Sequence, residues 1–287
     1  MHHRRCSFAY FRRVSSPQSV KHGPFHWEYL VFGNGPELLL AFHGFDNNAD
    51  DFRLFEPLLG QQYTIVAVNL FYHGRSYAEG APDQLQFRRE DLQALITQLL
   101  ERFPHARFSL LGFSLGGRIC LELVSLFAGR VDRLILLAPD GLVISPWYVF
   151  VTRTIAGRWL FRRVLRRPQR FLRLGGWLRT LGLVGEKQYK FALSYFGSGP
   201  QRELVFKVWM IFRYLLPRKA ALSAALKQHP VRTDLFFGRR DSIIRPSFGT
   251  IYQKKADPRA NIHILETGHN LLKSDVAERV LAVVSSQ

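Results

Sequence analysis

Arg107-Phe108-Ser109-Leu110-Leu111-Gly112-Phe113-Ser114-Leu115-Gly116 decides the reading of this chain. An apolar run predicts a buried strand, and Leu115 to Ala128 predicts a helix directly after it. Between them a serine stands two residues from a glycine on either side. A turn this tight forces strained backbone angles on the serine and crowds it with neighbouring chain, so side chains at Gly112 and Gly116 would clash. The turn holds a hydroxyl above a sheet edge, with a helix N-terminus behind it that favours developing negative charge. On its own the pattern also describes an ordinary Gly/Ser turn.

Other segments repeat the strand-then-chemistry arrangement. Glu37–Phe42 reads as a buried strand and runs into His43-Gly44-Phe45. Thr64–Leu70 reads as another, followed by Tyr72-His73-Gly74-Arg75-Ser76. Arg133–Pro139 precedes Asp140-Gly141, Leu235–Gly238 leads to Asp241, and Asn261–Leu265 leads to Thr267-Gly268-His269-Asn270. Asp83–Phe103 reads as an amphipathic helix with Glu90 and Asp91 on its solvated face, and Asn270 as the cap of a helix from Leu271.

With these segments in this order, the chain resembles the α/β-hydrolase family from about Phe25 to Val284, with one variable insertion. The order Ser114, Asp241, His269 is the nucleophile–acid–base order of that family. The resemblance implies an α/β fold: a mostly parallel central sheet with helices on both faces, plus an inserted helical cap. It implies Ser114 as nucleophile, His269 as general base, Asp241 as orienting acid, and an oxyanion hole from the amides of Phe45 and Leu115. Asp140 is the rival acid, since some relatives place theirs there. His43 is read as shaping the oxyanion loop, and Asp46 as a turn residue. One departure is Asn69, where relatives commonly have Asp; another is Tyr72, near which they have Gly. A serine at the elbow excludes the look-alike dehalogenases and epoxide hydrolases, which use aspartate there. It leaves esterases, lipases, thioesterases, carbon–carbon bond hydrolases, acyltransferases and cofactor-free haloperoxidases, of which an ester or thioester hydrolase is the commonest. The expected function is cleavage of a carboxylic ester or thioester through an acyl-enzyme, on a small acyl substrate that includes lipid-like esters. The alternatives are a serine-dependent acyltransferase and a non-catalytic membrane-surface binding protein of the same fold.

Bulk properties set bounds. A chain of 287 residues with 47% hydrophobic content suffices for one large α/β domain with an insertion. No apolar run reaches the roughly 18 residues of a spanning helix. The basic start, Met1-His2-His3-Arg4-Arg5, precedes an apolar patch too short for a signal peptide. Two cysteines, Cys6 and Cys120, stand far apart, which argues against a disulfide and for a reducing, cytoplasmic compartment. No Cys/His cluster has metal-ligand spacing and no glycine-rich phosphate loop follows a first strand, so neither metal nor cofactor is expected.

The net charge of +18 is concentrated. Residues 142–230 hold 17 Lys+Arg against two acids, Glu186 and Glu203, a net +15 that leaves +3 for the remainder. The expected organisation is therefore a near-neutral core, 1–141 and 231–287, and a basic helical cap, 142–230. Arginines and aromatics at helical spacing suit either a plain lid or contact with an anionic membrane surface, at the inner face of a membrane. No nucleic-acid module is visible, so nucleic acid is not the expected partner.

Overall fold

The computed structural model describes residues 17–180 and 198–285. The basic N-terminal stretch with Cys6, and the part of the insertion that holds Glu186, lie outside the described residues. The chain opens with β1 (Gln18–His22), β2 (Phe25–Phe32) and β3 (Glu37–Phe42). A 3-10 helix (Ala49–Phe55) and the short α1 (Glu56–Leu59) lead to β4 (Tyr63–Val68) and β5 (Tyr77–Ala78). Then come α2 (Arg89–Arg102), β6 (Phe108–Phe113), α3 (Leu115–Phe127) and β7 (Val131–Leu137). After β7 lie α4 (Pro146–Arg153), α5 (Ile155–Arg166), α6 (Pro168–Thr180), α7 (Gly199–Ile211) and α8 (Lys219–Gln228). The chain closes with β8 (Arg232–Gly238), α9 (Ser247–Lys255), β9 (Asn261–Leu265) and α10 (Ser274–Ser285).

The strands form one mixed, mostly parallel sheet in the order β1-β2-β4-β3-β6-β7-β8-β9, with β5 against β2. β1, β2 and β5 are antiparallel to their neighbours, whereas every pairing from β4 to β9 is parallel. The central strands are apolar without alternation because helices cover both faces. In β6 every residue is buried. On one side α3 packs against β3, β6 and β7, with α2 and α8 beside it; α1 and α10 pack with the 3-10 helix. The parallel strands end together, so the loops that follow them meet at one edge.

The inserted stretch divides. α4, α5 and α7 enclose a small apolar cluster of their own, Val151, Phe161, Val205 and Met210. α8, at the end of the stretch expected as cap, lies instead against α3 and joins the layer that covers the sheet.

Two helix starts differ from the sequence expectation. α2 begins at Arg89, not Asp83. The buried Arg213 guanidinium donates to the carbonyls of Pro82 (3.1 Å) and Asp83 (3.0 Å), which holds that segment as a turn. Asp91 is not merely solvated: its carboxylate accepts from the Arg88 amide at 2.8 Å and caps the helix start. Likewise α10 begins at Ser274, because Asn270 Oδ1 accepts from Leu272 N (3.1 Å) and makes a local turn instead of a helix cap. No described helix is long and apolar enough to cross a membrane.

Candidate active site

Ser114 sits between β6 and α3 with φ +48° and ψ −113°, strained for a residue with a side chain. Surrounding structure over-determines it. Its amide donates to Leu137 O (3.0 Å), and its carbonyl accepts from Gly117 N (2.9 Å) and Asp140 N (2.8 Å). The flanking glycines are required by contact. A Cβ on Gly116 would lie 1.9 Å from Phe42 O, and one on Gly112 would lie 2.8 Å from Cys120 Sγ. Gly44 has the same role in the facing loop, where a Cβ would lie 3.0 Å from Ser114 Cβ.

His269 and Asp241 arrive on loops after β9 and β8 and meet this serine. His269 Nε2 lies 3.1 Å from Ser114 Oγ, and Nδ1 lies 2.7 Å from Asp241 Oδ2. An ionised carboxylate only accepts, so Nδ1 carries the proton and Nε2 is left as the acceptor facing the serine. Asp241 is itself anchored, with Oδ1 accepting from the amides of Ile243 (2.7 Å) and Ile244 (3.0 Å). Its side chain is fully buried, and the Phe113 ring packs against His269 at 5.5 Å. The order of charge and polarity is therefore fixed: buried anion, oriented imidazole, hydroxyl.

Asp140, the rival acid, lines the same cavity but does not contact His269. It forms an ion pair with Arg118 and accepts from Gly141 N at 2.7 Å. Arg118 is buried and also donates to Tyr148 Oη at 2.9 Å. Burial by itself would lower the guanidinium pKa, but Asp140 and Tyr148 outweigh it and raise the value. Asp140 thus compensates a buried cation.

His43 is fully buried in the loop before Phe45. Nδ1–H donates to Gly44 O (2.7 Å), and Nε2 accepts from Leu70 N (2.9 Å). Burial, with the neighbouring His73 ring, lowers its pKa to about 3, so it is neutral. His73 Nε2 accepts from Asp46 N at 3.2 Å, and Asp46 takes φ +64°. Two neutral histidines thus tie the loop of Phe45 and Asp46 to the turn after β4. Asp46 Oδ2 also accepts from Gln201 Nε2 of α7 (3.0 Å).

A cavity of about 410 Å³ opens over the serine. Ser114, His269, Phe45 and Leu115 line it beside the apolar Val208, Trp209, Ile244 and Phe248, and the Arg118–Asp140 pair lines it together with Tyr148. Leu115 is the first residue of α3, where an amide has no intrahelical acceptor. Leu115 follows the serine directly, Phe45 lies in the loop after β3, and both line the cavity with Ser114. Arg118, Tyr148 and Trp209 carry no role in the sequence reading. The one signal the sequence offered was a charge, Arg118, in the first turn of the helix directly behind the serine. Among the described residues no group of three or more His, Cys, Asp or Glu is arranged to hold a metal.

The turn that departs from the family pattern is internally matched. Asn69 accepts from Ala49 N (2.7 Å) and donates through Nδ2 to Glu28 Oε2 (2.6 Å). An Asp at 69 would face the Glu28 carboxylate with no proton to offer.

Comparison with known proteins agrees with the fold. The family model described as alpha/beta hydrolase fold matches residues 37–275. A fluoroacetate dehalogenase from a Burkholderia species is 37% identical over 90 residues, covering 31% of this chain and 29% of that protein. A human serine hydrolase-like protein is 36% identical over 105 residues, covering 36% of this chain and 49% of that protein. The matches thus span between about a third and half of the length of these relatives. The solved structure of a thermophilic esterase from Thermogutta terrifontis superimposes with a TM-score of 0.66 at 16% identity, over 94% of this chain and 97% of that one.

Proposed function

This chain belongs to the α/β-hydrolase fold family, and we propose that within it the protein is a serine hydrolase that cleaves carboxylic ester or thioester bonds. The observation that carries this reading is the position of His269, 3.1 Å from Ser114 Oγ and 2.7 Å from Asp241, at the base of an apolar cavity. The dehalogenase name of one relative is not carried over, because the elbow here presents a hydroxyl in place of a carboxylate.

The steps follow from the groups. Ser114 Oγ attacks the acyl carbonyl as His269 Nε2 takes its proton. Asp241 stabilises the imidazolium that forms. The amides of Phe45 and Leu115 are the donors proposed to stabilise the oxyanion. The tetrahedral species expels the alkoxide or thiolate, which leaves with the proton from His269. Water then gives its proton to His269 and its oxygen to the acyl carbon. Collapse releases the acid and returns the proton to Ser114. The apolar walls suit an alkyl or aryl acyl group.

A fluorophosphonate probe, together with a panel of activated acyl esters of rising chain length, tests the reading. Labelling is expected on Ser114. Ser114→Ala is expected to abolish it and to lower turnover by about four to six orders of magnitude. An alanine variant that hydrolyses esters at the wild-type rate would refute the mechanism. A folded wild-type protein that takes no label would favour a binding role.

A further inference from the structure

We propose that the outer face of α4, α5 and α6 is a docking surface for an anionic lipid bilayer. The first ground is charge. Residues 142–180 contain nine arginines and no acidic residue. Arg162 is paired with Asp83 of the core. Among the described residues Arg166, Arg170 and Arg173 have no acidic partner.

The second ground is exposed apolar surface in the same place. On α5 the exposed residues include Ile155, Trp159, Arg163 and Arg166. They repeat at the spacing of a single helix face. Ile155 is 82% exposed and Trp159 is 61% exposed. The opposite face is spoken for: Phe161 packs on Phe206 (5.8 Å) and Trp209 (5.3 Å) of α7. On α4, the Trp147 and Phe150 rings lie tilted against each other at 5.5 Å, and both are exposed. The adjoining α6 adds Trp177 together with Arg170 and Arg173.

Neither ground suffices alone. Arginines on a solvated face need no partner, and scattered exposed apolar residues are normal. Their coincidence fits a headgroup layer. Guanidinium groups meet lipid phosphates, and tryptophan, isoleucine and phenylalanine enter the hydrocarbon boundary just beneath. A nucleic acid would satisfy the arginines but offers no hydrocarbon for Ile155 and Phe150. Trp147 also lines the catalytic cavity, so the surface adjoins its mouth. That link to catalysis rests on the serine-hydrolase reading; the docking itself does not.

Ser114→Ala protein, mixed with sucrose-loaded vesicles and sedimented, separates binding from turnover. Binding is expected to phosphatidylcholine vesicles that contain phosphatidylglycerol, to fall with rising salt, and to be weak on phosphatidylcholine alone. Adding R163Q, R166Q, R170Q and R173Q together should lower partitioning to the anionic vesicles on the order of a hundredfold or more, at about fivefold per arginine. Trp159→Ala should weaken what remains at high salt. In the serine-intact background the four-arginine variant should keep wild-type circular dichroism and turnover of a soluble ester. Three results would overturn the proposal: no sedimentation with anionic vesicles, equal partitioning to neutral and anionic vesicles, or tight oligonucleotide binding that anionic vesicles do not displace. If the wild type proves to have no esterase activity but sediments as described, docking stands and the catalytic reading fails.

Discussion

Two aspartates follow neighbouring parallel strands, and only the contacts of each distinguish them. Asp241 touches His269 Nδ1, whereas Asp140 faces the Arg118 guanidinium. Changing each to Asn should therefore separate chemistry from stability. Asp241→Asn should lower kcat by roughly four orders of magnitude, because an amide no longer holds the imidazole tautomer. Asp140→Asn should leave kcat within about tenfold of the wild-type value. It should destabilise the fold on the order of 3 kcal/mol, since a buried guanidinium then loses its carboxylate counter-charge. Steady-state kinetics and urea unfolding of both variants decide this. A severe kinetic loss from Asp140→Asn beside a mild one from Asp241→Asn would reverse the assignment.

At the scale of elements, the elbow depends on close approach between β6, α3 and the end of β3. Gly116→Ala would put a methyl 1.9 Å from Phe42 O, a backbone atom that cannot yield without moving β3. A loss above about 2 kcal/mol is expected, at the severe end of overpacking. Gly268 looks equally strategic in the sequence, next to His269. Yet a Cβ there meets nothing within 4 Å. Gly268→Ala should change stability by no more than about 0.5 kcal/mol. Equal destabilisation by the two substitutions would contradict the packing account.

For the whole molecule, the histidine pair that ties β3 to the turn after β4 sets a pH limit. Burial lowers the pKa of His43 from 6.5 to about 3, and lowers that of His73 as well. The sign follows from linkage. Between these values the unfolded chain binds protons that the folded chain does not, so stability rises with pH there. The contribution is complete above the unfolded value near 6.5 and is lost as pH falls toward the folded values. His43 alone gives a slope of up to about 1.4 kcal/mol per pH unit in that window. Urea unfolding as a function of pH measures it. A slope that is flat or negative from 6.5 down to 4 in the wild type, and unchanged in His43→Gln, would show that the ring is not buried neutral.

The sequence by itself determined the parallel half of the sheet. The run Glu37–Phe42 coincides with β3, because a strand covered on both faces must be apolar throughout, and such a run is visible without its neighbours. It also located Ser114, Asp241 and His269 at strand ends, since a tight turn needs glycine locally. The antiparallel β1, β2 and β5 escaped it. FHWEYLVF interleaves His26 and Glu28 with apolar residues, and Glu28 is buried because Asn69 Nδ2 and the Arg75 amide donate to its carboxylate. Tertiary contacts likewise decided where α2 begins, that α8 belongs to the layer over the sheet, and that Arg118 is held between Asp140 and Tyr148. Each of these depends on a partner far apart in sequence, such as the carbonyls of Pro82 and Asp83 for Arg213, and no local pattern encodes a partner that only folding brings near.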